Sequence, residues 1–174
     1  MPWRTLPTDA IIRAGLSVGR ELDRPLAREL ARELRRSGAL RAAGHALRAR
    51  DLSARALAER LARRAVPPVA CAEAVELLER AGLVDDGRFA TSRVDALAGR
   101  GYGDAHIRAD LEREGVDPEL AARVLAAVEP ERARAERIVA RKGGGPATGR
   151  HLTARGFDGD TVESVLAHLI AADT

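Results

Sequence analysis

Three times along this chain a leucine is followed by three mostly polar residues, a small residue and a large apolar one. The segments are Leu61-Ala62-Arg63-Arg64-Ala65-Val66, Leu111-Glu112-Arg113-Glu114-Gly115-Val116 and Leu152-Thr153-Ala154-Arg155-Gly156-Phe157. Internal repetition of this kind constrains the fold more than any other feature, because each copy must adopt the same local structure. A small residue after a run of helix formers is a C-terminal cap signal, since glycine enters the left-handed region at little cost. Ala65 fits that role less well. Counting from the large apolar residue, positions 5, 8, 9 and 12 downstream are apolar in every copy. They are Cys71, Ala74, Val75 and Leu78; then Ala121, Val124, Leu125 and Val128; then Val162, Val165, Leu166 and Leu169. That spacing is one face of an α-helix. Pro67-Pro68, Asp117-Pro118 and Asp158-Gly159-Asp160 supply the matching start signals.

A second short helix is predicted before each repeated leucine, starting near Ser53, Gly103 and Pro146. A longer one precedes it, over 39–50, 86–99 and 130–142. The leucines are separated by 50 and then 41 residues, the first two copies having longer connections. The reading is an all-α chain of three tandem three-helix repeats, over 38–83, 84–129 and 130–174. Units with so little apolar mass need stacked neighbours for stability. Residues 1–37 form an N-terminal extension. Leu22, Leu26, Leu30 and Leu34 recur every four residues, and Pro25 suits a first turn. They predict one extra helix over 25–36, ended by Ser37-Gly38 and packed on the first repeat. A partner-binding or dimerising helix is the alternative use of the same pattern. Residues 1–9 are expected to be disordered.

Composition agrees. Apolar residues make up 45% of the 174 but aromatics only 2%. Alanine supplies much of the apolar count, so the core is thin and divided among closely packed helices. No Val/Ile/Thr-rich alternating run reads as a strand. The net charge of +3 hides an uneven distribution. Residues 1–66 hold 15 arginines against 7 carboxylates, residues 67–136 hold 9 against 15, and residues 137–174 hold 5 cations against 4. The basic first third suits a polyanion or an acidic protein surface. A solvated surface in an arginine-biased chain, with Lys142 the sole lysine, is the competing reading. A single cysteine excludes an internal disulfide and gives no sign of an oxidising compartment. Arg13 interrupts the most apolar N-terminal stretch, Ala10 to Val18, and no run reaches the roughly 18 apolar residues of a membrane span. A soluble, cytoplasmic monomer is expected.

Reactive constellations are hard to find. His45, His106, His151 and His168 have no close ligand spacing, and Cys71 sits at a core position, so no metal site is expected. Asp85-Asp86 could act as a carboxylate pair, but its place before a helix reads as a cap and a dipole partner. Gly143-Gly144-Gly145-Pro146 lacks the lysine, hydroxyl and preceding strand of a phosphate loop. The helices flanking Gly115 resemble a helix-turn-helix, but 118–128 offers only Arg123 for contacting DNA. Neither an enzyme nor a cofactor is supported. The conspicuous cluster is Arg48, Arg50, Arg55, Arg60, Arg63 and Arg64 in the first copy. Arg60, Arg63 and Arg64 occupy neighbouring helical positions able to face phosphates or an acidic protein.

One family matches these landmarks. Ala81-Gly82-Leu83-Val84-Asp85-Asp86-Gly87-Arg88-Phe89-Ala90 resembles the G-L-(I/V)-D-D-x-x-F-A signature of the RecX regulatory proteins. Gly101-Tyr102-Gly103, Ile107, Asp110-Leu111 and Gly115-Val116 resemble its G-x-x-x-I-x-x-(E/D)-L-x-x-x-G-(I/V) pattern. Ser53, Leu57, Arg60 and Leu61 resemble its first-copy motif. The likeness covers roughly 39–170. Departures are Asp51-Leu52 inserted before Ser53, Ala56 in place of a glutamate, Ala65 in place of a glycine, and His106 where a basic residue is common. The resemblance implies an elongated, curved helical array that binds the RecA recombinase filament. It implies inhibition of the ATPase, strand-exchange and coprotease activities of RecA, in recombination, DNA repair and the SOS response, with DNA as a further contact. A stand-alone, non-specific nucleic-acid binder is the alternative function. Asp85, Asp86 and Phe89 are expected to be structural, with Phe89 in the core.

Overall fold

The computed structural model describes residues 5–172, with side chains to residue 167. The described residues form ten α-helices and no strand. They divide into two compact units, Met1–Asp85 and Asp86–Thr174.

The first unit holds α1 (Thr8–Arg13), α2 (Arg24–Ala49), α3 (Ala54–Ala62) and α4 (Pro68–Arg80). Asp23 caps α2, its Oδ1 accepting the N–H of Leu26 at 2.8 Å. The buried Ser53 caps α3 by accepting from Ala56 at 3.0 Å. Two expectations fail here. Ser37-Gly38 does not end a helix, because α2 runs through both into the first helix of the first copy. A mid-helix glycine costs only about 1 kcal/mol relative to alanine. The buried stripe continues unbroken across it, from Leu26 and Leu30 through Ser37 to Ala39, Ala43 and Ala46. Ala39 lies against Ala70 and Ala74 of α4, so the helix is held on both sides of Gly38. Nor are Thr8 and Asp9 disordered: α1 begins there, with Ala10 fully buried and Ser37 donating to Asp9 at 3.4 Å. Residues 1–4 of that expectation lie outside the described residues.

The second unit holds α5 (Asp86–Gly99), α6 (Asp104–Arg113), α7 (Pro118–Ala127), α8 (Glu131–Lys142), α9 (Pro146–Ala154) and α10 (Gly159–Ala172). Asp117 caps α7 through the N–H groups of Glu119 and Leu120 at 3.0 and 3.1 Å. Asp158 serves Asp160 and Thr161 at 3.0 and 3.3 Å.

The repeated motif has one structure in all three copies. Leu61, Leu111 and Leu152 are fully buried. Their carbonyls accept from Val66, Val116 and Phe157 at 3.2, 3.0 and 3.2 Å, the six-to-one bond of a Schellman cap. The residue before each donor is left-handed: Gly115 at φ +80°, Gly156 at +78° and Ala65 at +57°. Ala65 is the sole non-glycine residue in that region among the described residues. The predicted core positions also hold. Cys71, Ala74, Val75, Leu78, Ala121, Leu125, Val162 and Val165 are buried, Val124, Val128 and Leu166 are half-buried, and the Leu169 side chain lies outside the described residues. Four apolar clusters result among the described residues, two in the first copy and one in each of the others. Burial pushes the Cys71 thiol above its ordinary pKa, as befits a small core residue.

Candidate functional site

The six arginines of the first copy do not form one patch. Arg48, near the end of α2, lines a groove with Arg41, His45 and Asp9 on the α1 side. Arg50 is the exposed C-cap of α2. The other four ride on α3 and the turn that follows it. Arg55 and Arg63 straddle Glu59, at 3.1 and 3.9 Å, so one carboxylate partly neutralises two cations. Arg60 is half-buried and Arg64 exposed, and neither makes an ion pair among the described residues. Of these four, Arg60 and Arg64 are the cations that do not share Glu59. Among the described residues, the most exposed large apolar side chains also belong to the first unit: Ile12, Val18, Leu22, Val69 and Leu83.

The signature segment spans the start of α5. Asp85 precedes α5 and Asp86 lies in its first turn, where carboxylates favour the helix dipole. Phe89 is not in the deep core as expected. It is half-buried and packs on the edge of the second copy's cluster. The central positions there are taken by the smaller Ala90 and Val94.

Two buried ionic groups, Asp110 and Arg134, lie in the second unit, where sequence reasoning did not place them. Asp110 is buried, and its carboxylate is held by Arg93 through two bonds, at 2.6 and 3.1 Å, and by Arg113. Burial pushes this carboxyl up, but the hydrogen bond from Arg93 and the charges of Arg93, Arg113 and His106 outweigh it, leaving its pKa below the usual carboxylate value. The family-like (E/D)-L pair at Asp110-Leu111 was the available signal. Arg134, only 2% exposed, donates to the carbonyl oxygens of Tyr102 and Glu129 at 2.7 and 3.1 Å and pairs with Asp104.

Next to Arg134, Glu131 serves two helix starts. One oxygen accepts the N–H of Asp104 at 2.6 Å and the other that of Asp158 at 3.2 Å. Gly103, at the α6 cap position, has no side chain to do this. The α6 start also abuts the α9–α10 turn: Gly103 donates to Arg155 at 2.9 Å and Ala105 to Gly156 at 3.2 Å. Arg155 lies 4.6 Å above the Tyr102 ring and donates to the Arg100 carbonyl at 2.8 Å. His106 stacks on Tyr102 at 4.1 Å. These groups brace the second copy against the third.

No cluster of histidine, cysteine and carboxylate side chains able to hold a metal occurs among the described residues. No described helix is long and apolar enough to cross a membrane.

Three Schellman-capped three-helix copies, internally braced and carrying exposed arginines, define a helical-repeat protein. Its relatives are specific. Residues 85–125 match the family pattern described as RecX, second three-helix domain. The regulatory protein RecX of Xanthomonas axonopodis pv. citri (strain 306) is 36% identical over 125 residues, covering 66% of this chain and 77% of that protein. That of Stenotrophomonas maltophilia (strain R551-3) is 37% identical over 123 residues, covering 65% and 76%. A crystal structure of regulatory protein RecX superposes with a TM-score of 0.77 at 19% identity, over 92% of this chain and 87% of that one. RecX from Lactobacillus salivarius gives 0.67 at 18%, over 79% and 97%. The chain belongs to the RecX family of regulatory proteins.

Proposed function

We propose that this chain binds the RecA nucleoprotein filament and inhibits its ATPase, strand-exchange and coprotease activities, as a cytoplasmic regulator of recombination, DNA repair and the SOS response. The observation that carries the reading is membership of the RecX family through sequence, the Asp85-Asp86…Phe89 signature included. The chain acts by occupancy rather than by catalysis. Of its buried ionic groups, Asp110 and Arg134 are consumed in bracing helices, while Arg60 and Arg64 remain available to a partner. Several modest contacts spread over tandem modules add through effective concentration. The modules are 38–83, 84–129 and 130–174, on a monomeric chain.

The test is RecA's DNA-dependent ATP hydrolysis and strand exchange with substoichiometric chain added. Inhibition supports the reading; unchanged rates overturn it. Binding to bare single-stranded DNA and to RecA-coated DNA, compared across salt, separates it from a stand-alone nucleic-acid binder. A filament binder prefers the coated form. A pure backbone binder takes both and loses affinity steeply with salt on each.

A further inference from the structure

One face of α2 changes character along its length. Leu26, Leu30, Glu33 and Ser37 are buried, and Ser37 donates to Asp9 at 3.4 Å, so this half of the face lies under α1. The same three- and four-residue steps lead on to Arg41, Gly44 and Arg48, which therefore share that face. Arg41 and Arg48 are exposed, and with Leu40, Gly44 and His45 they line an open groove of about 580 Å³. Pro7 and Asp9, at the start of α1, bound it on the Ser37 side. The groove continues the seat that α1 occupies.

Its lining combines cations with a small apolar area. Arg41 and Arg48 make no ion pair among the described residues, and Asp9, the one carboxylate in the lining, accepts from Ser37. Leu40 and Gly44 are the apolar part. A Cβ at Gly44 would meet only Nη1 of Arg48, at 3.9 Å. The missing side chain therefore leaves room on the helix surface, and the Arg48 guanidinium stands beside that room. The seating of α1 shows what this face accepts: the small Ala10, fully buried, next to the Asp9 carboxylate on a hydroxyl.

We infer that this groove on α2 is a docking site for a short acidic peptide segment of a protein partner, seated as a continuation of the α1–α2 contact. Two guanidiniums against one carboxylate set the acidic character. Arg41 and Arg48 are seven residues apart, about 10 Å along the helix axis. Carboxylates three residues apart on an extended chain span the same distance. An apolar side chain between them meets Leu40 and the space over Gly44, giving the contact an apolar centre with a charged rim. The open half of the face, from Leu40 to Arg48, is about 12 Å long and is bounded at one end by α1. That suits a few residues of peptide rather than a continuous nucleic acid strand. The inference stands apart from filament binding, since it concerns a free peptide and the first unit alone.

The test uses the full chain and a fluorescent peptide, Gly-Ser-Glu-Leu-Ala-Glu-Ser-Gly, with affinity measured by anisotropy. The unaltered chain is expected to bind it, and a peptide with glutamine at both glutamate positions about tenfold more weakly. Arg41→Ala/Arg48→Ala weakens binding by a similar factor. So does Gly44→Leu, which fills the room on the helix surface while improving helix propensity, and it does so without lowering the thermal unfolding midpoint. Arg60→Ala/Arg63→Ala/Arg64→Ala leaves peptide affinity within about twofold, and an oligothymidylate strand does not displace the peptide. No binding by the unaltered chain at about 1 mM peptide would overturn the assignment. Full affinity in either folded α2 variant, as judged by circular dichroism, would do the same. Displacement of the peptide by the strand would also overturn it, making the groove a nucleic acid site instead.

Discussion

The guanidinium of Arg134 donates to the main-chain carbonyl of Tyr102 at 2.7 Å, joining α8 of the third copy to the loop between α5 and α6 of the second. Arg134 is nearly inaccessible, and it also holds Asp104 and the Glu129 carbonyl. Removing one member of a buried charged network strands the others without partners, at a cost of about 3–5 kcal/mol. Arg134→Ala is expected to lower unfolding stability by that amount in a denaturant titration. Arg134→Lys should recover only a small part, because an ammonium cannot reproduce the guanidinium fork.

Gly156 makes a second junction between the same two copies. It is left-handed at φ +78°, and a Cβ there would lie 2.7 Å from the backbone nitrogen of His106. Backbone cannot move aside as a side-chain tip can. Gly156→Ala is therefore expected to cost at least about 2 kcal/mol, from the strained dihedral and the clash together. Thermal unfolding checks this.

Ala65 presents the opposite case. It occupies the left-handed cap position at φ +57° with a Cβ that disfavours it. Ala65→Gly is expected to raise stability by roughly 0.5–1 kcal/mol, the relief of strain exceeding the added unfolded-state entropy. A higher midpoint with an unchanged denaturant slope is the predicted readout.

Asp110 ties stability to acid. Its folded pKa lies below the ordinary value near 3.8. The carboxylate therefore contributes stability above that value and loses it as pH falls through the lower, folded pKa. Asp110→Asn is expected to destabilise by about 2 kcal/mol at neutral pH, through loss of charged hydrogen bonds to Arg93 and Arg113. The gap between variant and parent should begin to narrow below about pH 4, where the unfolded chain takes up the proton, and close as pH falls through the lower, folded pKa. A pH-independent gap would count against this role.

Helix positions were legible in the sequence because each copy repeats its start signal, its apolar stripe and its cap, and all three are local. The continuity of α2 was not. Ser37-Gly38 carries a local stop signal, and tertiary contacts to α1 and α4 outweigh it. Arg134 was missed because Glu131-Arg132-Ala133-Arg134-Ala135-Glu136-Arg137 reads as a solvated face. It does sit beside Ala135 on the stripe that continues through Ile138 and Val139, and that register was the signal. The arginine cluster of α3 was visible as composition. That Glu59 neutralises part of it depends on side-chain geometry, which spacing alone does not fix.

That neutralisation sharpens the surface prediction. Arg60→Ala/Arg63→Ala/Arg64→Ala is expected to weaken binding to RecA-coated DNA roughly five- to tenfold with helicity unchanged, most of the loss coming from Arg60 and Arg64. Arg55→Ala alone should change little, since it also frees Glu59 to pair with Arg63.

The most direct test of the central claim is the steady-state rate of DNA-dependent ATP hydrolysis by RecA as this chain is titrated in. The account predicts a fall in rate with far less than one chain per RecA subunit, because occupancy of a filament affects many subunits. An unchanged rate up to equimolar chain, with the chain shown to be folded, would contradict it.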